Sequence, residues 1–94
     1  MGRVIWSPSS TDDANSIAEF IAKDSPHTAA LFVERLFEKT DRLAEFPQSG
    51  RIIKEIGRET TREIIFGNYR IMYLIEDDDV WITAVVHGAR DWTP

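Results

Sequence analysis

The last third of the sequence alternates between short β-prone runs and tight turns, and this pattern constrains the fold more than any other feature. The runs "REIIF", "YRIMYLI" and "VWITAVVH" are separated only by the turns "GN" and "EDDD". Connections this short join neighbouring antiparallel strands, because a parallel pair needs a crossover of about a dozen residues or more. We therefore predict an antiparallel meander of three strands.

Both faces of these strands are apolar in part. In the middle run, one face carries Tyr69, Ile71, Tyr73 and Ile75, and the other carries Arg70, Met72 and Leu74. Strict alternation in the last run sets Val80, Ile82, Ala84 and Val86 against Trp81, Thr83, Val85 and His87. Alternation alone therefore leaves open which face the rest of the chain covers.

A first helix is indicated by "SPSSTDD", which follows the β-prone run "RVIW". Ser7 or Ser9 can cap it, Pro8 suits its first turn, and we expect it to span residues 8 to 23. Its apolar stripe is Ala14, Ile17, Ala18 and Ile21, with Phe20 at the edge.

A second helix is indicated by Ser25 and Pro26, and its apolar residues continue until Pro47. Because so few residues separate the two helices, they form an antiparallel hairpin whose apolar stripe needs a sheet to cover. The element order is β-α-α-β-β-β. We predict a single α+β domain over residues 1–94, with the hairpin packed on a mainly antiparallel sheet of three to four strands.

Composition excludes several classes of site. The chain has no cysteine, so it has neither a disulfide framework nor a thiolate metal site, and His27 and His87 lack metal-ligand spacing. We expect no metal and no cofactor. The formal net charge of -5 argues against broad binding to phosphates. With no signal-like or membrane-spanning segment, we expect a cytoplasmic protein without a membrane partner.

Four stretches, in order along nearly the whole chain, carry a resemblance to a known superfamily. They are "VIWSP", "IAEFIAKDSP", "FVERLFEKTDRLAEFPQSGR" and "REIIFGNYRIMYLIEDDDVWITAVVHGARD". The chain resembles the RelE/ParE superfamily of bacterial toxins, the toxic halves of type II toxin–antitoxin pairs, often called plasmid stabilisation proteins. The resemblance implies a toxin neutralised by a cognate antitoxin, but not its target, because one fold hosts unrelated activities.

The RelE-like branch of the superfamily cuts messenger RNA on the ribosome, and this activity needs acid–base and phosphate-binding groups. His87 is the candidate acid or base, and Arg62, Arg70 and Lys54 are the candidate phosphate-binding residues. Each also has a structural interpretation. His87 can be a hydrogen-bonded group at a strand end, Arg70 can pair with Asp91 or a glutamate, and Arg62 can be a solvated edge residue.

The ParE-like branch poisons DNA gyrase by protein–protein contact, and the sequence favours this branch. RelE-like nucleases commonly carry a tyrosine or a second acid–base residue near the C-terminus, but no tyrosine follows Tyr73, and the indole of Trp92 is a poor proton-transfer group. We predict instead a polar cluster of Arg70, His87, Arg90 and Asp91 that serves a protein-binding surface. The alternatives are a ribosome-dependent mRNA endonuclease and an inactive toxin-like binding module.

The expected partners are a cognate antitoxin, with which the chain forms an oligomer, and DNA gyrase, or the ribosome and mRNA in the alternative. Antitoxins of this superfamily usually wrap an amphipathic segment along the helical hairpin and the sheet edge, a mode that needs apolar grooves. Candidate anchors for that segment are Phe20, Phe32, Phe37 and Trp81.

Overall fold

The structure is a computed structural model that describes residues 2–88. Its elements are β1 (Val4–Trp6), α1 (Pro8–Ala22), α2 (Pro26–Asp41), β2 (Arg51–Ile52), β3 (Thr61–Phe66), β4 (Tyr69–Glu76) and β5 (Asp79–His87). The strands form one sheet in the order β1-β5-β4-β3-β2, in which β1 runs parallel to β5 and all other neighbours are antiparallel. The predicted α+β class, with a helical hairpin on a mainly antiparallel sheet, is confirmed.

The sheet has five strands rather than the three to four predicted. The additional strand, β2, is only two residues long and pairs with β3. It joins the last residue of "PQSGR" to the first residue of "IIKEIGRETT", a segment in which the sequence has no regular alternation. A strand of two residues is too short to show the alternation of apolar and polar residues by which a strand is recognised in a sequence.

Both helices begin where the serine and proline residues predict. The hydroxyl of Ser7 accepts a hydrogen bond from the Ser10 N–H at 3.1 Å, and that of Ser25 accepts one from the Thr28 N–H at 3.1 Å. Each cap satisfies an amide that has no partner within its helix, and a proline follows in the first helical position.

The second helix ends earlier than predicted. The α-helical part stops at Asp41, and a single 3-10 turn, Arg42–Ala44, follows instead of a continuous helix to Pro47. The backbone before a proline avoids the helical region, so the chain must leave the helix before this point. The 3-10 turn still gives a backbone carbonyl at the end of the helix a hydrogen-bond partner, because the Arg42 oxygen accepts the Glu45 N–H at 3.2 Å.

The core lies between the helices and one face of the sheet, which we call the covered face. Its buried cluster consists of Phe32, Leu36, Leu43, Ile71, Tyr73, Val80, Ile82 and Val85. The predicted stripe of α1 packs against this cluster. Since a fully buried aliphatic side chain contributes about 1.5–3 kcal/mol, this layer contact is the main source of stability. The opposite face, which we call the open face because the helical hairpin lies on the other side, carries Arg70, Met72 and Leu74 of β4, and of these Arg70 and Met72 are buried.

A β-bulge at Thr83 interrupts the alternation of β5. Tyr73 pairs with Ile82, but Met72 pairs with Ala84, so Thr83 is an extra residue without an opposite partner. The bulge is held in place from α1, because the Asp13 carboxylate accepts the Val85 N–H at 3.0 Å. Val85 therefore lies on the covered face, although strict alternation assigns it to the face opposite Ile82.

The hydroxyl of Tyr73 fastens the segment after the helices to the centre of the sheet. It donates to the Pro47 carbonyl at 2.6 Å and accepts from the Gly50 N–H at 2.9 Å. Position 50 needs glycine, because a Cβ there would lie 2.5 Å from this hydroxyl and 2.6 Å from the Glu63 carbonyl oxygen. The buried Tyr73 hydroxyl thus fixes the turn "PQSGR" to the sheet.

Replacing Tyr73 by phenylalanine should lower the free energy of unfolding by about 2 kcal/mol, because a buried amide and a carbonyl both lose their partner. Urea denaturation followed by tryptophan fluorescence measures this. Tyr69→Phe is the matched control, since the Tyr69 hydroxyl makes no hydrogen bond among residues 2–88. Equal effects of the two substitutions would contradict the role assigned to Tyr73.

Alkaline pH should destabilise the protein through the same group. Burial raises the pKa of Tyr73 above its ordinary value of 10.0, although the Gly50 N–H opposes the rise. A raised pKa means that the unfolded chain loses this proton first, so the stabilisation is present below about pH 10 and is lost as the pH rises through the folded pKa. Between about pH 9 and pH 11, the wild type should lose more stability than Tyr73→Phe does; a constant difference would refute this.

Candidate functional site on the open face of the sheet

The open face carries a charge cluster built from neighbouring strands. Arg70 lies in the middle of β4, Glu63 comes from the adjacent β3, and Arg51 comes from β2, where it pairs with Glu63 in the strand register. Glu55 reaches the same guanidinium from the segment between β2 and β3. We call Arg51, Glu55, Glu63 and Arg70 the charge cluster.

Arg70 is the centre of this cluster. Its Nε and Nη2 donate to the two carboxylate oxygens of Glu63, with Nη2 at 3.2 Å, and its Nη1 and Nη2 donate to the two oxygens of Glu55, each at 3.1 Å. Arg51 donates to Glu63 at 3.1 Å. Glu63 is 2% exposed and Arg70 is 9% exposed, so the pair is buried and charge-compensated.

Mutual hydrogen bonds favour the charged forms of Arg70 and Glu55. The hydrogen bonds that Arg70 donates to Glu63, and then those to Glu55, raise the pKa of Arg70 further above its already high value, against the opposing effect of burial. The hydrogen bond from Arg70 lowers the pKa of Glu55. At neutral pH the guanidinium is therefore permanently charged and Glu55 is a carboxylate.

An open pocket of about 520 Å³ adjoins the charge cluster. It is lined by Arg51, Ile52, Lys54, Glu55, Glu63, Arg70 and Gly88. Among residues 2–88, three cations and two carboxylates line this pocket, and their charges sum to one positive unit. This is a compensated polar site rather than a strongly cationic one.

The bulge at Thr83 separates His87 from this pocket. His87 pairs with Tyr69 on the covered face, and their rings meet edge to face with centroids 5.5 Å apart. Without the extra residue, His87 would share a face with Arg70. With it, the imidazole lies beside α1, in a groove of about 380 Å³ that Ile17 and Phe20 also line.

Arg62 also points away from the pocket. It pairs with Tyr73 in the register, and its guanidinium donates to the carbonyl oxygens of Glu59 at 2.8 Å and Gly50 at 2.9 Å. These bonds tie the residue before β2 to the end of the β2–β3 connection. The Arg62 guanidinium thus binds backbone carbonyl groups in this structure.

Of the residues proposed from the sequence that lie within residues 2–88, Arg70 and Lys54 share the open-face pocket. His87 and Arg62 lie elsewhere, and Arg90 and Asp91 fall outside the described residues. The suggestion that Arg70 pairs with a glutamate agrees with its contacts to Glu55 and Glu63. Sequence reasoning did not single out Glu63, although an acidic residue inside an otherwise apolar strand is a signal for a buried ion pair.

The aromatic residues proposed as antitoxin anchors differ in accessibility. Phe20 is 67% exposed and Phe37 is 44% exposed, and Phe37 meets Trp6 edge to face at 5.4 Å. Phe32 is a correction: only 9% of it is exposed, and it packs in the core against Phe66 and Tyr69, because it lies on the inward stripe of α2. Trp81 is half-buried on the open face, opposite Leu74.

The helical hairpin itself carries an apolar groove. It has a volume of about 210 Å³ and is lined by Trp6, Thr11, Ala14, Asn15, Val33, Leu36 and Phe37. Within residues 2–88, no three acidic, histidine or cysteine side chains are grouped so that they could hold a metal ion. None of the helices in this range is long and apolar enough to cross a membrane.

Removing the buried carboxylate should be far more damaging than removing the exposed one. Glu63→Gln leaves the Arg70 guanidinium buried with its nearest counter-charge gone, so we expect a loss of about 3 kcal/mol in the free energy of unfolding. Glu55→Gln and the exposed control Glu59→Gln should shift the urea midpoint little. A Glu63→Gln protein as stable as the Glu55→Gln protein would contradict this arrangement.

The chain matches known toxins over most of its length. A family model described as the ParE toxin of the type II toxin–antitoxin system, parDE, matches residues 4–92. Toxin RelE2 of Caulobacter vibrioides is 32% identical over 90 residues, which cover 96% of this chain and 99% of that protein. Y4kP of Sinorhizobium fredii, a candidate toxin, is 37% identical over 93 residues, which cover 96% of this chain and 92% of that protein.

Two solved structures share the fold. A chain of the chromosomal ParDE system from P. aeruginosa superposes with a TM-score of 0.76 at 13% identity, covering 93% of this chain and 96% of that chain. A chain of the RelBE2 toxin–antitoxin complex from Mycobacterium tuberculosis superposes with a TM-score of 0.59 at 26% identity, covering 92% and 96%. The chain therefore belongs to the ParE toxin family within the RelE/ParE superfamily, and it is the toxin component of a type II toxin–antitoxin system.

Proposed function

We propose that this toxin inhibits DNA gyrase through protein–protein contact and is held inactive by a cognate antitoxin. The observation that carries the proposal is the separation of the acid–base candidate from the cationic candidates. His87 lies on the covered face beside α1, whereas Arg70 and Lys54 line the open-face pocket. In a nuclease site, the acid–base residue and the phosphate-binding residues would both have to contact the same phosphodiester.

Cleavage of RNA by its own 2′-hydroxyl requires a base within hydrogen-bond reach of that hydroxyl and uncompensated positive charge at the phosphate. Neither histidine of the described residues lines the open-face pocket. The central cation, Arg70, already donates to four carboxylate oxygens. These features support a binding role for the open face over phosphodiester chemistry.

The open face has the composition of a surface that contacts protein. Around the charge cluster it carries apolar side chains, among which Ile65 is 47% exposed and pairs with Arg70. Trp81 and Leu74 form a second apolar pair further along the sheet. An apolar patch with a central arginine and a tryptophan is typical of protein interfaces.

The antitoxin, in this proposal, occupies the opposite side of the molecule. Exposed Phe37 borders the hairpin groove and exposed Phe20 borders the groove beside β5. An amphipathic segment can place apolar side chains in both grooves. Both the relationship to the RelBE2 complex and the ParE family match support such a partner, and the pair would assemble in the cytoplasm, where gyrase acts.

Ribosome-dependent mRNA cleavage is the second candidate. It is favoured by the convergence of Arg51, Lys54 and Arg70 on one pocket and by the relationship to toxin RelE2. A toxin-like module without activity is the third. The three candidates predict different outcomes when the chain is expressed without an antitoxin.

Expression in a bacterial host should cause DNA breaks and an SOS response, with gyrase trapped on DNA in extracts. His87→Ala should leave these effects unchanged, because the imidazole lies outside the open-face pocket. Primer-extension mapping of cellular mRNA supplies the opposing readout. Codon-positioned cuts that disappear in His87→Ala, with the melting temperature unchanged, would overturn the gyrase proposal in favour of the nuclease, and normal growth would favour the inactive module.

A further inference from the structure

One side of α2 carries three cations in a row. Arg35, Lys39 and Arg42 are four and three residues apart, so they lie on the same side of the helix over about two turns. All three are exposed, and none forms an ion pair with another residue of the range 2–88. By contrast, the arginines of β2 and β4 each form an ion pair with a carboxylate. We call Arg35, Lys39 and Arg42 the cation row.

The helix gains little from the cation row. Like charges three or four residues apart in a helix repel each other. Lys39 and Arg42 lie at the end of α2, where the helix dipole favours cations, but that effect is confined to the last turn and does not reach Arg35. Glu38 is spaced to pair with Arg42, yet no ion pair joins them. The positive charge of the row is therefore available to a group outside the chain.

Two adjoining pockets lie beside the cation row, between α2 and β3. One has a volume of about 390 Å³ and includes Phe66 of β3 in its wall. The other has a volume of about 340 Å³ and includes Phe46 and Ile64 in its wall. Because both are also lined by Lys39 and Arg42, we treat them together as the α2–β3 groove. Phe46 is 57% exposed, so the groove offers apolar surface next to the cations.

We infer that the α2–β3 groove binds an acidic, amphipathic segment of a protein partner. Its carboxylates pair with the cation row, and its apolar side chains cover Phe46. A helix with glutamates four and three residues apart repeats the spacing of the cations, because both helices have the same rise per residue. The groove is separate from the open face and from the grooves beside Phe20 and Phe37. The inference thus goes beyond the gyrase proposal and adds a further contact surface.

The pattern of charges favours a protein segment over a nucleic acid. Exposed Glu34, Glu38 and Asp41 lie on α2 alongside the cation row. A nucleic acid carries a charge on every nucleotide, so its phosphates would also approach these carboxylates. A protein segment can place carboxylates opposite the cations and uncharged side chains opposite the acidic residues. It can also supply apolar groups for Phe46, as protein interfaces commonly do.

The test measures binding of a rhodamine-labelled synthetic peptide by fluorescence anisotropy. The peptide has about 14 residues, or about four helical turns, with glutamates spaced like the cation row and leucines beside them. A second peptide has glutamine in place of every glutamate. The wild type should bind the glutamate peptide about tenfold more tightly than the glutamine peptide, because three exposed ion pairs form. Raising the ionic strength from about 0.05 M to about 0.5 M should remove most of this difference, because salt screens exposed charges.

Two matched pairs of variants locate the binding site. Lys39→Gln combined with Arg42→Gln should weaken binding of the glutamate peptide about fivefold. Lys23→Gln combined with Arg58→Gln changes the net charge equally at exposed cations outside the groove, and it should weaken binding far less.

Phe46→Ala should also weaken binding of the glutamate peptide about fivefold, because apolar surface that the peptide covers is lost. The control is Phe20→Ala, since Phe20 is 67% exposed and lies outside the groove. Binding by this control should equal that of the wild type.

Four results would overturn the inference, with each variant shown to be folded by its melting curve. The first is equal binding of the two peptides, or no saturable binding of either. The second is an equal loss in the two double variants. The third is tighter binding of a single-stranded oligonucleotide than of the glutamate peptide, with the oligonucleotide lost in the Lys39 and Arg42 double variant, which would assign the groove to nucleic acid. The fourth is self-association in sedimentation that this double variant abolishes, which would assign it to a second copy of the chain.

The assay contains only this protein and the probes. Since gyrase, a ribosome and an antitoxin are all left out of it, its outcome is separate from that of the expression experiment.

Discussion

One extra residue in β5 determines which side chains lie on each face of the sheet. Thr83 has no opposite partner, and the strand beyond it is turned over, so that Val85 enters the core and His87 joins Tyr69 beside α1. The Asp13 carboxylate holds the displaced part of β5 by accepting a hydrogen bond from the Val85 N–H. At this point β1 has already ended, so it offers Val85 no backbone partner. The bulge therefore fixes both the packing of the central strand and the chemistry of the two faces.

The buried pair of Arg70 and Glu63 gives the open face its particular character. The chain as a whole is acidic, with a formal net charge of -5, yet three cations converge on one pocket. Carboxylates supplied by the protein itself compensate most of this charge. In the proposed contact with a protein target, such a surface would discriminate by the geometry of its donors rather than by general attraction to polyanions.

Local signals in the sequence were sufficient for the starts of both helices, for four of the five strands and for the class of the fold. The caps at Ser7 and Ser25 and the short turns of the meander act over a few residues, so the sequence shows them directly. Which face meets the helices, the pairing of Arg51 with Glu63 and the bulge at Thr83 depend on register between distant strands. The candidate site was predictable only for Arg70 and Lys54, because its other members are brought together by that register.

The position of β5 determines when the sheet can be completed during synthesis of the chain. This strand is the last of the described elements, yet it lies between β1 and β4, and Arg3 near the start of the chain forms an ion pair with Asp79 at 2.9 Å. Contacts between such distant residues form only when both ends are available. A nascent chain on its ribosome has the helical hairpin but no completed sheet. The sheet is thus completed only after β5 has been synthesised, later than the helical hairpin.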